Sequence, residues 1–435
     1  MARTQQSFAI EIRKKVFDSY LNNKDICDKA YDEANNNDIK NLYIVNKNET
    51  DINSLLSKVS IVILTANKYE RNILHKKIYE STRQKIIQFD IELLTSCNQF
   101  NSIYGYYFKW GNNSILHIHA NVKGSYTIGG SADIIRWVRS NDYLFPKRII
   151  SFGLCFGTDS DNYDIGDVII SDKIYPYFIG VKVKYDRYSD DDLITVVDDN
   201  AFRIDSNLYK SLNNLKNNNE FNDLPFSVDL KSFITGEAVI NSQNARSKIN
   251  EITTQDTPVG EMEGYGVFKE CGCSDYKIPC VVIKSICDWG VEKNFEANDT
   301  KTLQSFIERY EKIINKTIDN EAAKYMIVSL KDRLQAYAAN CTFTVLDRII
   351  KSIDCDISLF SELVKWLANY RGATVDYKEI VNKAKSLTVN INCKSLNTFI
   401  NEFILTLVRE NNSFSVEYKS NSNITEISYL IIKQK

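Results

Sequence analysis

Short apolar runs recur through the middle of the chain, at residues 60–65, 148–151, 167–171 and 279–286, and amphipathic stretches separate them. Runs of this length suit buried strands, and their alternation with helical periodicity predicts an α/β domain. Residues 104–110 and 114–119 flank Gly111-Asn112-Asn113, a hairpin signal, so part of the sheet is antiparallel. The expected fold is α/β, with a mixed central sheet flanked by helices.

The pattern changes at both ends of this region. Residues 1–55 are polar, rich in Asn and Lys, and carry helical periodicity over 8–21, which predicts a helical N-terminal arm. The α/β body is expected over 56–320, closing with a helix at 302–316. Residues 321–435 then show helices at 359–370, 377–386 and 394–408, followed by strands at 413–418 and 425–432. That order predicts a small C-terminal winged-helix-like α+β domain. The Asn-rich tract 213–222 reads as an exposed loop.

Charge bears on partners. Over 435 residues, 54 Lys and Arg face 56 Asp and Glu, a net charge of -2, which supplies no attraction to a polyanion or an anionic membrane. The tail holds 15 Lys and Arg against 12 Asp and Glu, and its reading helix sets Glu402 and Glu410 against Lys394 and Arg409. Phosphate binding needs clustered cations, so contact with a protein regulator is expected ahead of DNA. No apolar run approaches the roughly 18 residues of a membrane span. Ten cysteines without a charged-then-apolar leader predict a reducing, cytoplasmic setting.

Neither a metal nor a cofactor is expected. Cys271, Cys273, Cys280 and Cys287 lack paired Cys-x-x-Cys spacing. His117 and His119 share one strand face with no evident third ligand, and hydrogen bonds to backbone or water are expected of them.

The candidate chemistry lies where strands end. Glu70 stands four residues past Ala66, at the exit of the first apolar run, although by itself it is an ordinary helix-opening acid. Asp288 follows the 280–286 run and precedes Trp289-Gly290. Met262-Glu263-Gly264-Tyr265-Gly266 sets an acid among glycines where a ligand could approach the backbone. Ser151-Phe152-Gly153-Leu154-Cys155-Phe156-Gly157 reads as a glycine loop after a strand. Lys68, Arg71 and Lys123 are near these segments and are expected to be solvated.

Six segments in this order, Ala66-x-x-x-Glu70, Gly153 to Gly157, Gly166-Asp167-Val168, Gly236-Glu237-Ala238-Val239-Ile240, Glu261-Met262-Glu263 and Ser285-Ile286-Cys287-Asp288, resemble the purine nucleoside phosphorylase superfamily. The resemblance spans residues 59–318 and is strongest to the hydrolytic branch, the methylthioadenosine and adenosylhomocysteine nucleosidases. It implies an N-ribosyl hydrolase that frees the base of a purine nucleoside or nucleotide, ATP among the candidates, leaving ribose or ribose phosphate. Under it Asp288 would protonate the base at N7, Glu263 would hold the ribose hydroxyls, and Glu70 would orient and deprotonate the attacking water. Met262 would lie against the sugar and Val239 and Ile240 against the base, with Ala66, Gly153, Leu154, Glu261, Cys287 and Trp289 completing the pocket.

Two departures matter. Leu154, beside Phe156, stands where phosphorolytic members carry a small hydroxyl residue, and an apolar pair holds an oxyanion poorly. Cys287 replaces the Ser that commonly precedes the catalytic Asp, and a thiol is a weak donor. Water is therefore the expected nucleophile; the alternatives are a phosphate-dependent phosphorylase and a catalytically weak nucleotide sensor with a DNA-binding tail. The resemblance further implies a homo-oligomer. The multidomain layout is similar to bacterial antiviral nucleosidase effectors, in which flanking domains restrain the enzyme.

Overall fold

A computed structural model describes residues 2–94, 100–120, 122–179, 194–197, 201–236, 257–272, 277–290, 295–352, 359–369, 375–387, 396, 400–401, 403–404, 414–419 and 429–434. Strands β1 (Tyr43–Val45), β2 (Ile61–Thr65), β3 (Ile86–Leu94), β4 (Phe100–Trp110), β5 (Asn113–His119), β6 (Arg148–Gly157), β7 (Val168–Ile179), β8 (Ile194–Val197), β9 (Phe202–Arg203), β10 (Val228–Thr235), β11 (Val259–Glu261) and β12 (Cys280–Asp288) build one sheet. Its path is β1-β3-β4-β5-β2-β6-β11-β10-β7-β12, and a further β6–β12 pairing closes the last five strands on themselves. Parallel pairs such as β2–β6 and antiparallel pairs such as β4–β5 coexist, so the sheet is mixed, as expected.

β2 is Ile-Val-Ile-Leu-Thr, buried at every position between β5 and β6. A parallel central strand is covered on both faces, which is why its sequence is a continuous apolar run instead of an alternation. Asn67 ends it by capping the Lys68–Thr82 helix, its side chain accepting from Tyr69 N at 2.9 Å while Glu70 reaches back to complete a capping box. The β4–β5 hairpin turns at Gly111, whose φ of 59° suits a residue without Cβ.

The glycine segment 153–157 is not a loop. β6 continues through it to Gly157, because residues 149–156 pair with β12 and Phe156 and Gly157 pair with β11. Gly157 is required by packing: a Cβ there would lie 2.4 Å from the Trp289 ring. The tract 213–222 is likewise only partly loop, since the Ser206–Asn217 helix buries Leu208 and Leu212 and runs into it.

Helices outside the α/β body complete its core. Ile12, Phe17 and Tyr20 of the Ala2–Asn22 helix are fully buried, and the Phe17 ring meets Phe306 edge-on at 5.2 Å. The N-terminal segment is thus a packed layer and not a free arm. The 33-residue Asn320–Ser352 helix, assigned to the tail on sequence, also belongs to this core. Its small residues Ala336, Ala338 and Ala339 are buried, and Thr342 Oγ1 donates to Gly153 O at 2.9 Å. Small side chains let this helix approach the sheet closely, which a boundary at Asn320 misses.

A second apolar cluster begins at Leu359 and includes Leu363, Ile380 and Phe403. It comprises the Leu359–Asn369 and Tyr377–Leu387 helices, near a three-stranded sheet of β13 (Val375–Asp376), β15 (Tyr429–Gln434) and β14 (Phe414–Lys419) in that order. Phe145 joins the cluster from the body, and Lys147 pairs with Glu362 at 2.9 Å. Among the described residues no helix is long and apolar enough to cross a membrane.

The histidines bond to one another and to hydroxyls. Tyr43 OH meets His75 Nδ1 at 2.9 Å, His75 Nε2 meets His117 Nδ1 at 2.8 Å, and Thr65 Oγ1 links His117 Nε2 at 2.9 Å to His119 Nδ1 at 2.8 Å. With every imidazole neutral, one N–H per ring satisfies each contact in either direction of donation. A charged ring would be buried with no counter-charge among its bonded partners. Burial first, and the nearby Arg71 cation second, hold His75 and His119 below the usual histidine range, His119 at about 3.

Candidate active site

Strand exits converge on one pocket. Ala66, Asn67 and Glu70 follow the end of β2; β6 contributes Leu154, Cys155 and Phe156. Gly260 and Glu261 of β11 lead into Met262 and Glu263, and β12 ends there with Cys287 and Asp288. Lys123 and Gln335 complete the lining. A wider cleft of about 1200 Å³ lies between residues 160–167 and 216–229, and in it Lys15 pairs with Asp161 and Lys216 with Asp229.

Glu70 is held by three backbone amides. Oε2 accepts from Ala66 N at 2.7 Å and Asn67 N at 2.9 Å, and Oε1 accepts from Leu154 N at 2.9 Å. A carboxylate offers about four acceptor sites, so the remaining one is on Oε1. Gly153 permits this approach, because a Cβ there would lie 2.2 Å from Oε1. Burial, reinforced by Glu263 and opposed by Lys284 and the amides, raises the Glu70 carboxyl to about 7. A carboxyl poised there can act as a base at neutral pH.

Glu263 sits in a different field. Its Oε2 accepts from Lys284 Nζ at 2.6 Å, and its Oε1 accepts from Gly124 N at 3.3 Å. Burial pushes this carboxyl up, but the Lys284 charge and hydrogen bond outweigh it and hold Glu263 below its ordinary value. Glu261 shares the same lysine at 2.9 Å and accepts from the amides of Glu263 and Gly264, which fixes the turn that presents Glu263. Lys284 is itself held above the usual lysine range, since the surrounding glutamates more than offset its burial. Two adjacent carboxyl groups are thus driven apart, one ionised and one able to exchange a proton near neutrality.

Asp288 owes its position to an irregularity. Ile286 pairs with Cys155 and Asp288 with Phe156, so Cys287 is an extra residue in the β12 strand. A bulge re-aims the side chains that follow it, and Cys287 and Asp288 both line the pocket. Gly290 N donates to Asp288 Oδ1 at 2.8 Å, and Cys287 Sγ lies 3.6 Å from Oδ2, the long contact expected of a thiol.

Of the residues singled out in the sequence, Ala66, Glu70, Leu154, Glu261, Met262, Glu263, Cys287 and Asp288 share this pocket. Gly153 stands behind Glu70 without lining it. Trp289 is a correction: it is fully buried, packed over Gly157, and not among the residues that line the pocket. Val239 and Ile240 lie outside the described residues. The sequence alone does not single out Lys284, Asn67 or Gln335, and Lys123 is exposed, as expected, while also lining the pocket. Lys284 had a signal, a lysine inside the apolar run 280–286, where a buried charge demands a partner.

The family profile described as the Phosphorylase superfamily matches residues 61–319, more than half of the 435-residue chain. The chain belongs to the phosphorylase superfamily. In this superfamily member the matched span starts at β2 and stops before the Asn320–Ser352 helix, so Gln335 enters the pocket from outside it. The chain is 29% identical over 167 residues to a Death domain-containing ATP nucleosidase of Amphimedon queenslandica, an alignment covering 36% of this chain and 31% of that relative's length. It is also similar to the futalosine hydrolase of Helicobacter pylori, at TM-score 0.45 and 12% identity over 68% of this chain and 99% of the other. A methylthioadenosine/adenosylhomocysteine nucleosidase of Neisseria meningitidis in complex with methylthio-immucillin-A gives TM-score 0.42 and 14% identity, with coverage of 68% and 99%.

Proposed function

We propose that this phosphorylase-superfamily protein is a hydrolase that cleaves the N-glycosidic bond of a purine nucleoside or nucleotide. The observation that carries the reading is the meeting of Glu70, Glu263 and Asp288 in one pocket, with Lys284 against Glu263. Cleavage leaves positive charge on the sugar and moves an electron pair into the base, so the departing purine must gain a proton or a strong hydrogen bond. Asp288 supplies it at N7. Glu263, kept ionised, accepts from the ribose hydroxyls and balances the oxocarbenium charge. Water on the remaining Oε1 site of Glu70 attacks the anomeric carbon and passes its proton to that carboxylate, so acid and base work on opposite faces as in an inverting glycosidase.

Water is favoured over phosphate by three features. Leu154 and Phe156 are apolar, the Leu154 amide already donates to Glu70, and Lys284 is committed to two glutamates. The relative named as an ATP nucleosidase supports the same chemistry. Lys123 favours the second reading, a phosphorylase, because it brings a cation to the lining. We further propose that the C-terminal unit is a winged-helix-like module for a protein regulator, and that the chain serves as a homo-oligomeric effector of antiviral defence. A regulator that binds DNA through this module is disfavoured by the balanced charge of the tail.

Incubating the protein with adenosine, AMP and ATP, with and without phosphate, tests the reaction. Free adenine is expected without phosphate, and Asp288→Asn should lower its release by roughly 10²–10⁴-fold, the usual worth of a general acid. Release that requires phosphate makes the protein a phosphorylase.

A further inference from the structure

The helix that follows the family-matched region reaches the pocket with an oriented donor. Asn67 Oδ1 accepts from Tyr69 N at 2.9 Å, which fixes the Asn67 amide and leaves its Nδ2 to donate to Gln335 Oε1 at 3.2 Å. Because Gln335 Oε1 is the acceptor, its NH₂ group faces the other way, with two N–H donors and no hydrogen bond to another described residue. Gln335 is half-buried and lines the same pocket as Lys123, which makes no ion pair with a described residue. Lys123 immediately precedes Gly124, whose amide donates to Glu263 Oε1 at 3.3 Å, so it flanks the carboxylate that grips the ribose. Near the sugar the pocket therefore offers a cation and a donor-only amide, beside the carboxylates that serve the hydroxyls and the water.

A ribose presents three points for recognition away from the base, its two ring hydroxyls and its 5′ substituent. Glu263 accepts from the hydroxyls, and acceptor-only carboxylates do not need further donors. A lysine and an unpaired NH₂ suit an acceptor carrying negative charge, and a thioether or bare hydroxyl would leave both poorly used. We infer that Gln335 and Lys123 are specificity residues for a phosphate on the ribose 5′ carbon, which makes the substrate a purine nucleotide in preference to a nucleoside. The inference rests on the nucleosidase reading for the identity of the ring. It assigns the Asn320–Ser352 helix, which lies outside the family-matched span, a part in choosing the substrate.

The test is the ratio of kcat/KM for AMP to that for adenosine in the full-length chain, compared with Gln335→Ala, Gln335→Glu and Lys123→Ala. Hydrogen bonds to a charged group predict that each variant lowers the ratio by roughly ten- to a hundredfold, with Gln335→Glu the worst because it sets a carboxylate against the phosphate. A ratio unchanged in all three variants overturns the inference while leaving the hydrolase reading intact. If no substrate releases base, the same comparison is made by calorimetric binding of AMP and adenosine: tighter AMP binding that Gln335→Ala and Lys123→Ala abolish supports the phosphate site without the reaction, and equal binding refutes it. Inorganic phosphate is the third probe. Base release that depends on it and is lost in Lys123→Ala would assign the cation to a nucleophile and overturn the 5′ assignment.

Discussion

Two buried polar networks flank β2, and they solve opposite problems. On the histidine side, Tyr43, His75, His117, Thr65 and His119 form a chain in which every ring can stay neutral and every contact can be served in either direction. On the glutamate side, Glu261, Glu263 and Lys284 are tied by direct ion pairs, and Glu70 stands in their field. The neutral chain spends its hydrogen-bonding capacity on itself. The charged cluster leaves one carboxylate position on Glu70 and the Asp288 carboxyl facing the pocket, so only it can handle a substrate. Burial of polar groups alone does not mark a site; the open acceptor does.

Breaking the charged network should have the largest effect on stability. Lys284→Met leaves Glu261 and Glu263 buried without their cation and should cost about 3–5 kcal/mol in denaturant unfolding, with base release lost as well. A cost under about 1 kcal/mol would mean that water reaches the cluster and that the two networks do not differ as described.

Next in size is the response to pH, where the networks carry opposite signs. The histidines are depressed in the folded state, so the unfolded chain binds their protons first as pH falls below about 6.5. Their stabilisation is present above that value and is lost on acidification toward the folded pKa of about 3 for His119, at about 1.4 kcal/mol per pH unit for each ring. Glu70 is raised, so its share is present below about 4.5 and is lost as pH rises through about 7. Stability profiles of the parent chain and His119→Gln should therefore differ by one proton on the acid limb, and the rate of base release should climb through about pH 7 as Glu70 ionises. Identical acid limbs would show that His119 is charged or solvated.

The smallest effect isolates the Asp288 support. Cys287→Ser replaces a thiol 3.6 Å from Oδ2 with a better donor and should raise the rate by a few-fold, in line with about 0.5–1 kcal/mol for one hydrogen bond. A lower rate would mean that the bulge, and not the donor, sets the geometry of Asp288.

Much of this was legible in the chain. The strand cores of β2 and β12 stand out as apolar runs, the hairpin announces itself at Gly111, and the three acids lie at strand exits. What escaped is set by packing. β6 extends past Ser151 because β11 and β12 pair with it, and no local signal carries that pairing. The Asn320–Ser352 helix has its small residues turned to the sheet, so sequence periodicity does not reveal that it joins the body or that Gln335 reaches the pocket. Trp289 follows Asp288 in the chain, yet it packs over Gly157 and stays out of the pocket lining, because successive residues of an extended strand face opposite sides. The histidine chain could not be read, because it joins four elements, β1, β2, the Lys68–Thr82 helix and β5, that meet only in the fold.

The central claim is that water attacks the anomeric carbon. Running the reaction in heavy-oxygen water and weighing the sugar product by mass spectrometry tests it directly. The account predicts that ribose or ribose phosphate carries the label at its anomeric hydroxyl, without added phosphate, in the parent chain and at a greatly reduced rate in Asp288→Asn. A sugar released without the label, or released only as a 1-phosphate when phosphate is present, would contradict it.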